Sequence, residues 1–279
     1  MKGPALLFCP GDRPDRYARA AAASDAVVLD LEDAVAPDAK DAARAAVMRG
    51  LADLDPAAVV VRVNATGTPW HAADVAALAA FPDVTLMLPM AQRPEDVEAL
   101  GPHPVVALCE TARGVLEAPR IAAASTSVGL MWGSEDLLAD LGGRSGRAPD
   151  GTYRPALAEA RTRILYAARA AGVAPIDTVL VALDDLDLLA ADSADAAAAG
   201  YAAKACIHPV QIAVVRAAFR PGDDEISQAE DVLAAAAGQP GVFRFRGRMV
   251  DAPVLARARE ILRLTHEADA TTALRLSKT

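Results

Sequence analysis

Carboxylates, one arginine and one histidine stand directly behind short apolar runs along the whole chain. They are Asp30, Glu32 and Asp33 in LDLED, Arg62 with Asn64 in VRVN, Glu110 in CET, Glu135 and Asp136 in GSED, Asp184 and Asp185 in VALDD, and His208 in CIHPVQ. Any one aspartate could be a helix N-cap, a position that favours Asp whatever the function. For Asp33, Asp184 and Asp185 capping explains the residue as well as chemistry does. Glu110 is different, because Glu is a poor N-cap and Thr111 beside it is a better one.

Glu110 and Asp136 end consecutive apolar runs, so a closed sheet makes them neighbours. Two carboxylates facing one cavity repel, and one pKa rises unless a cation lies between them. Mg²⁺ suits such a site: it takes one or two protein carboxylates and keeps positions for water and a chelating substrate. Zinc is disfavoured, since no Cys/His cluster accompanies the pair. Arg62 is the only arginine or lysine among these residues. Its planar fork matches a carboxylate or a developing enolate oxygen, the alternative being a structural ion pair with Glu32. His208, ahead of a proline, reads as a hydrogen-bonded structural group, and Trp132 reads as core.

The elements that position these groups are regular. Apolar runs at 5–10, 26–30, 59–64, 85–89, 105–110, 128–132, 178–183 and 201–207 alternate with Ala-rich helical segments such as 15–23, 38–51 and 155–171. The runs are continuous rather than alternating, the mark of parallel strands covered on both faces. Eight βα units predict an α/β fold, a closed (β/α)8 TIM barrel with its chemistry at the C-terminal strand ends. An open doubly wound sheet competes, but no GxGxxG follows the first strand. Residues 1–220 are expected to form the barrel and 221–279 a C-terminal appendage. The appendage comprises an acidic helix at 223–237, a hairpin at 242–250 turning near Arg246 and Gly247, and a last helix from Pro253. The hairpin has an apolar face and no place in a closed barrel; packing on a neighbouring subunit would bury that face, the alternative being an intramolecular lid with Asp251 capping the final helix ahead of Pro253.

Composition bounds the function. Of 279 residues, 28 Lys and Arg against 37 Asp and Glu give a net charge of −9, which argues against a nucleic-acid partner. Hydrophobic residues make up 53% but aromatics only 4%, so the core must be built from Ala, Val and Leu. No apolar run approaches the ~20 residues of a membrane span. The start of the chain lacks a signal-peptide pattern, and Cys9, Cys109 and Cys206 read as buried reduced thiols. A cytoplasmic protein with no membrane partner is expected.

The segments LLFCPGDRPDR, VVLDLEDAV, VVVRVN, LCETARG, LMWGSEDLLADLGG, CIHPVQ and GRMVDAPVL, in this order over nearly the whole chain, resemble the citrate lyase β-subunit-like family. That family lies within the wider group of acyl-CoA lyases and HpcH/HpaI aldolases. The resemblance implies a Mg²⁺-dependent barrel, usually a homotrimer. It would make or break a carbon–carbon bond in a β-hydroxyacyl-CoA such as citramalyl-CoA or malyl-CoA, with acetyl-CoA and a 2-oxo acid as the other side of the reaction. It also implies roles: Glu110 and Asp136 as metal ligands, with Glu110 at the substrate, and Arg62 as the group that binds substrate and stabilises the enolate. Asp251 in RMVD would be the acid/base that enters a neighbouring subunit's site. Arg16 and Lys40 could meet the CoA phosphates, and Glu32 and Asp33 would orient Arg62 or a metal-bound water. The chain departs from the family pattern at Met90, where lysine is common, and at Ala182, where aspartate is common. Two other readings stay open: a class II pyruvate aldolase acting on free hydroxy-keto acids, and a non-catalytic CoA-binding subunit.

Overall fold

A computed structural model describes residues 3–239 and 241–276, with side chains through residue 269. Eight strands close into one parallel barrel in sequence order: β1 (Ala5–Pro10), β2 (Ala26–Asp30), β3 (Val59–Arg62), β4 (Thr85–Leu88), β5 (Val105–Cys109), β6 (Ser127–Trp132), β7 (Ala174–Asp177) and β8 (Ala203–Cys206). Closure is made by β1 on β8, with Ala5 opposite Lys204 and Leu7 opposite Cys206. The helices of the barrel are α1 (Pro14–Ala23), α2 (Lys40–Leu51), α3 (His71–Leu78), α4 (Pro94–Glu98), α5 (Ala112–Ala122), α6 (Ser134–Asp140), α7 (Pro155–Ala171), α8 (Leu186–Ala199) and α9 (Pro209–Phe219).

The strand sequences explain why they are buried on both faces. Leu6, Val28, Val60, Met87, Val106 and Ile176 fill the barrel interior. Their neighbours Leu7, Val27, Val59 and Leu86 are equally buried, as the helices covering the outside require. Helix ends follow local chemistry. Thr111 caps α5 by accepting from the Gly114 N–H at 3.0 Å. Gly172 and Gly200 end α7 and α8 at φ +72° and +105°, the left-handed turn that glycine enters without a Cβ penalty. All three cysteines are buried and free.

One strand departs from expectation. The seventh is Ala174–Asp177, not 178–183. Pro175 argues against a strand because it lacks an N–H, but here only its carbonyl is needed, accepting from Ala202 N–H at 2.9 Å. The β-branched run after it is loop, with Val181 and Leu183 exposed. Asp184 and Asp185 therefore do not end a strand, and Asp185 instead caps α8 through the Leu188 N–H at 2.9 Å.

The chain divides into two compact units, Met1–Arg216 and Ala217–Thr279. The second contains α10 (Asp223–Ala236), a hairpin of β9 (Phe243–Phe245) and β10 (Arg248–Val250), and α11 (Ala252–Leu276). Arg246 and Gly247 form the hairpin turn at φ +46° and +80°, the two positive values of a type I′ turn. Among the described residues, no helix is long and apolar enough to cross a membrane.

Candidate active site

Asp30 and Arg62 end β2 and β3 in direct register. The arginine fork closes on the aspartate, Nε to Oδ1 at 2.7 Å and Nη2 to Oδ2 at 2.6 Å. Asp30 also accepts the N–H groups of Glu32 at 2.9 Å and Ala34 at 3.2 Å, so both of its oxygens are engaged twice. Burial works against the Arg62 charge. The Asp30 hydrogen bonds and the nearby carboxylates outweigh it and push the guanidinium pKa above its usual range. The fork is thus committed, and Nη1 is the corner not tied to Asp30. It lies 2.9 Å from Glu32 Oε2 and 3.8 Å from Asp33 Oδ2.

Glu110 follows β5 and is 2% exposed. Its Oε1 accepts the Met90 N–H at 2.9 Å, and Met90 adopts φ +51° to present it. A Cβ on Gly133 would meet Glu110 Oε2 at 2.6 Å, so glycine is what lets the β6–α6 turn lie against this carboxylate. Burial pushes the Glu110 pKa up to about 8; the Met90 N–H opposes the rise, and the charges of Asp136 and Glu32 add to it. Glu32 is pushed up to about 7 by burial, opposed by Arg62 and reinforced by Asp33, Asp30 and Asp136. Asp136 sits half-buried in the first turn of α6.

These groups surround one cavity of about 390 Å³ at the C-terminal end of the barrel. Asp30, Asp33, Glu110, Glu135 and Asp136 line it against a single cation, Arg62, above an apolar floor that includes Leu108 and Met131. A cavity with this excess of carboxylates over cations, beside which Glu110 and Glu32 are pushed up, is a site short of positive charge. Glu32 Oε2 adds to this: it is buried and accepts no hydrogen bond, although Arg62 is close. A divalent cation fits that deficit. Among the described residues no three His, Cys, Asp or Glu side chains converge on one point. A cation held here would take few protein ligands and keep waters, as Mg²⁺ does.

Not every predicted residue joins this cavity. Lys40 is buried, and its three protons go to Leu31 O at 2.7 Å, Glu32 O at 2.7 Å and Asn64 Oδ1 at 2.6 Å. That corrects the expected phosphate contact, since an ammonium with no free proton holds the β2 and β3 ends together instead. Arg16 lies half-buried on α1 and does not line the cavity. His208 is exposed, and its Nδ1 accepts from the Val210 N–H at 3.3 Å. Trp132 is fully buried and donates through Nε1 to Asp177 at 2.8 Å. Asp251 belongs to the second unit, where Oδ1 accepts the Val254 N–H of α11 at 3.3 Å.

Residues 5–209 match the HpcH/HpaI aldolase/citrate lyase family. The chain belongs to that family. A citrate lyase subunit beta-like protein of Mycobacterium tuberculosis is 49% identical over 266 residues, covering 95% of this chain and 97% of its own. A (3S)-malyl-CoA thioesterase of Cereibacter sphaeroides is 34% identical over 287 residues, covering 98% and 96%. The crystal structure of CitE from M. tuberculosis in complex with magnesium, acetoacetate and coenzyme A superposes with a TM-score of 0.91. It shares 48% identity over 95% of this chain and 99% of that one. Two residues of this family member's cavity were given no role by the sequence, Asp30 being named there only as a strand-end carboxylate. Asp30 is the clamp on Arg62, and Thr178 lines the cavity wall. The signal for Asp30 was present, since two consecutive strands ending in Asp and Arg are placed side by side by any in-register parallel pairing.

Proposed function

We propose that this protein is a Mg²⁺-dependent carbon–carbon lyase that cleaves or forms a β-hydroxyacyl-CoA, such as malyl-CoA or citramalyl-CoA, with acetyl-CoA and a 2-oxo acid as partners. The observation that carries this reading is the buried Glu110 beside Asp136, two carboxylates with too little positive charge around them, at the mouth of a barrel that also presents Arg62. Glu110 and Asp136 would hold the metal. When bound, Mg²⁺ supplies Lewis acidity and the missing positive charge.

The protein's own groups divide the remaining work. Asp30 fixes the plane of the Arg62 guanidinium, which leaves Nη1 to meet negative charge developing on the thioester oxygen. Glu32 and Asp33 keep that corner in place. In cleavage, the β-hydroxyl gives its proton to solvent water and its carbon becomes the carbonyl of the 2-oxo acid. The electron pair of the broken bond passes to the thioester, and Asp251 returns a proton to the new methyl carbon. In condensation Asp251 removes that proton instead. Asp251 would do this in a neighbouring subunit of a cytoplasmic homotrimer, an arrangement supported by the family resemblance of GRMVDAPVL. Arg16 remains the candidate for CoA phosphate contact; among the described residues this half-buried arginine makes no ion pair.

Mass spectrometry of the purified protein with Mg²⁺ and a panel of β-hydroxyacyl-CoAs and their free acids tests the reading. Acetyl-CoA and a 2-oxo acid are the expected products. Release of free CoA alone would mean thioester hydrolysis, and turnover of the free acids would mean an aldolase.

A further inference from the structure

Helix α6, whose first turn carries Asp136, has no side-chain cap of its own. Its N-cap position is Gly133, and it must be glycine because a Cβ there would collide with the Glu110 carboxylate. The residue that makes room for one metal ligand therefore cannot hold the turn that carries the other. The missing acceptor comes from the loop that follows β7: the Ser134 N–H donates to Thr178 Oγ1 at 3.2 Å.

Thr178 is itself held from behind. Its carbonyl accepts from Lys204 Nζ at 2.8 Å, and Lys204 is completely buried. The other two Lys204 protons go to Asp177 Oδ2 and Asp192 Oδ2, both at 2.8 Å. Asp177 receives the Trp132 indole N–H at 2.8 Å and Arg161 Nε at 3.1 Å, and Asp192 pairs with Arg147. Burial works against the Asp177 charge, but Lys204 and Arg161 hold its pKa below the usual carboxylate range. Three cations and two buried aspartates thus form a network around β7 and β8, which Arg161 extends to the exposed Asp195. With all its protons donated, Lys204 is an ammonium anchor and not an amine nucleophile.

We infer that Thr178, anchored by Lys204, is a positioning residue that caps α6 in place of Gly133 and so fixes the direction in which Asp136 offers its carboxylate. The inference rests on Asp136 being a metal ligand. Outer partners that orient metal ligands typically matter 10–100-fold in metal affinity.

The test is a Mn²⁺ titration of the full-length protein, followed by the loss of the free Mn²⁺ electron paramagnetic resonance signal. Thr178→Val keeps the shape and removes the acceptor, and it should weaken Mn²⁺ binding at least tenfold. Thr178→Ser restores the hydroxyl and should return affinity to near the wild-type value. A merely structural role predicts a lower melting temperature for Thr178→Val with unchanged Mn²⁺ affinity, and that result overturns the inference. Should the valine variant fail to fold, Thr178→Ala is titrated under the same criteria. Wild-type protein that takes up no Mn²⁺ overturns the metal reading and this inference together, whereas wild-type uptake matched by both Thr178 variants overturns the inference alone.

Discussion

Replacing Glu110 with Gln should stabilise the metal-free protein while removing its metal chemistry. The carboxylate is 2% exposed, and burial raises its pKa from 4.5 to about 8. Between those two values the folded state holds a proton that the unfolded state has released, so stability falls as pH rises through the window. For a single group, moving from pH 5 to pH 8 costs about 3 kcal/mol, at 1.36 kcal/mol per pKa unit. Glutamine keeps an oxygen for the Met90 N–H and does not titrate, so Glu110→Gln should lack this decline. For a unit of this size, about 3 kcal/mol corresponds to a melting difference of about 6–12 °C. Thermal or urea unfolding in excess EDTA at pH 5, 6, 7 and 8 measures it. The two proteins should be similar at pH 5 and diverge steadily toward pH 8, with the variant more stable. Parallel curves would show that Glu110 ionises freely in the folded state, and the charge deficit of the cavity would then be refuted.

Other outcomes follow from particular contacts. Arg62→Lys keeps the charge but cannot close a fork on Asp30, so turnover should fall about 10²-fold or more together with stability; unchanged turnover in folded enzyme removes Arg62 from the reaction. Lys40→Met leaves the Leu31 and Glu32 carbonyls and Asn64 without their donor, and it should lower stability by about 3 kcal/mol. CoA affinity, measured by calorimetry on the folded variant, should be unchanged, and a selective loss of it would restore the phosphate role. Mixing inactive Asp251→Ala with inactive Arg62→Ala under subunit exchange should restore activity. Verified mixed oligomers that stay dead would mean that Asp251 does not act between chains.

The barrel was legible because its strands are short Val, Leu and Ala runs separated by helical segments, a pattern that follows directly from burial on two faces. The seventh strand was not, because Pro175 counts against a strand locally while the barrel needs only its carbonyl, and the β-branched run after it competes on propensity. Glu110, Asp136 and Arg62 were legible as cavity-lining groups because charge placed behind apolar runs faces the C-terminal end of a barrel. The part that stayed hidden is direction. Nothing in the local sequence around Lys40 distinguishes a solvent-facing lysine from one turned inward onto three acceptors. Gly133 reads as an ordinary turn glycine until Glu110 is seen against it, and the cap supplied by Thr178 crosses from the loop after another strand. Long-range pairing of this kind leaves no local mark in composition or period.

The most direct measurement is the fate of malyl-CoA and citramalyl-CoA with wild-type protein in Mg²⁺, in excess EDTA, and with Asp136→Ala in Mg²⁺, followed by mass spectrometry. The account predicts acetyl-CoA with glyoxylate or pyruvate in the first sample for at least one substrate, and intact substrate in the other two. Equal carbon–carbon cleavage in EDTA or in the folded Asp136→Ala protein would contradict it.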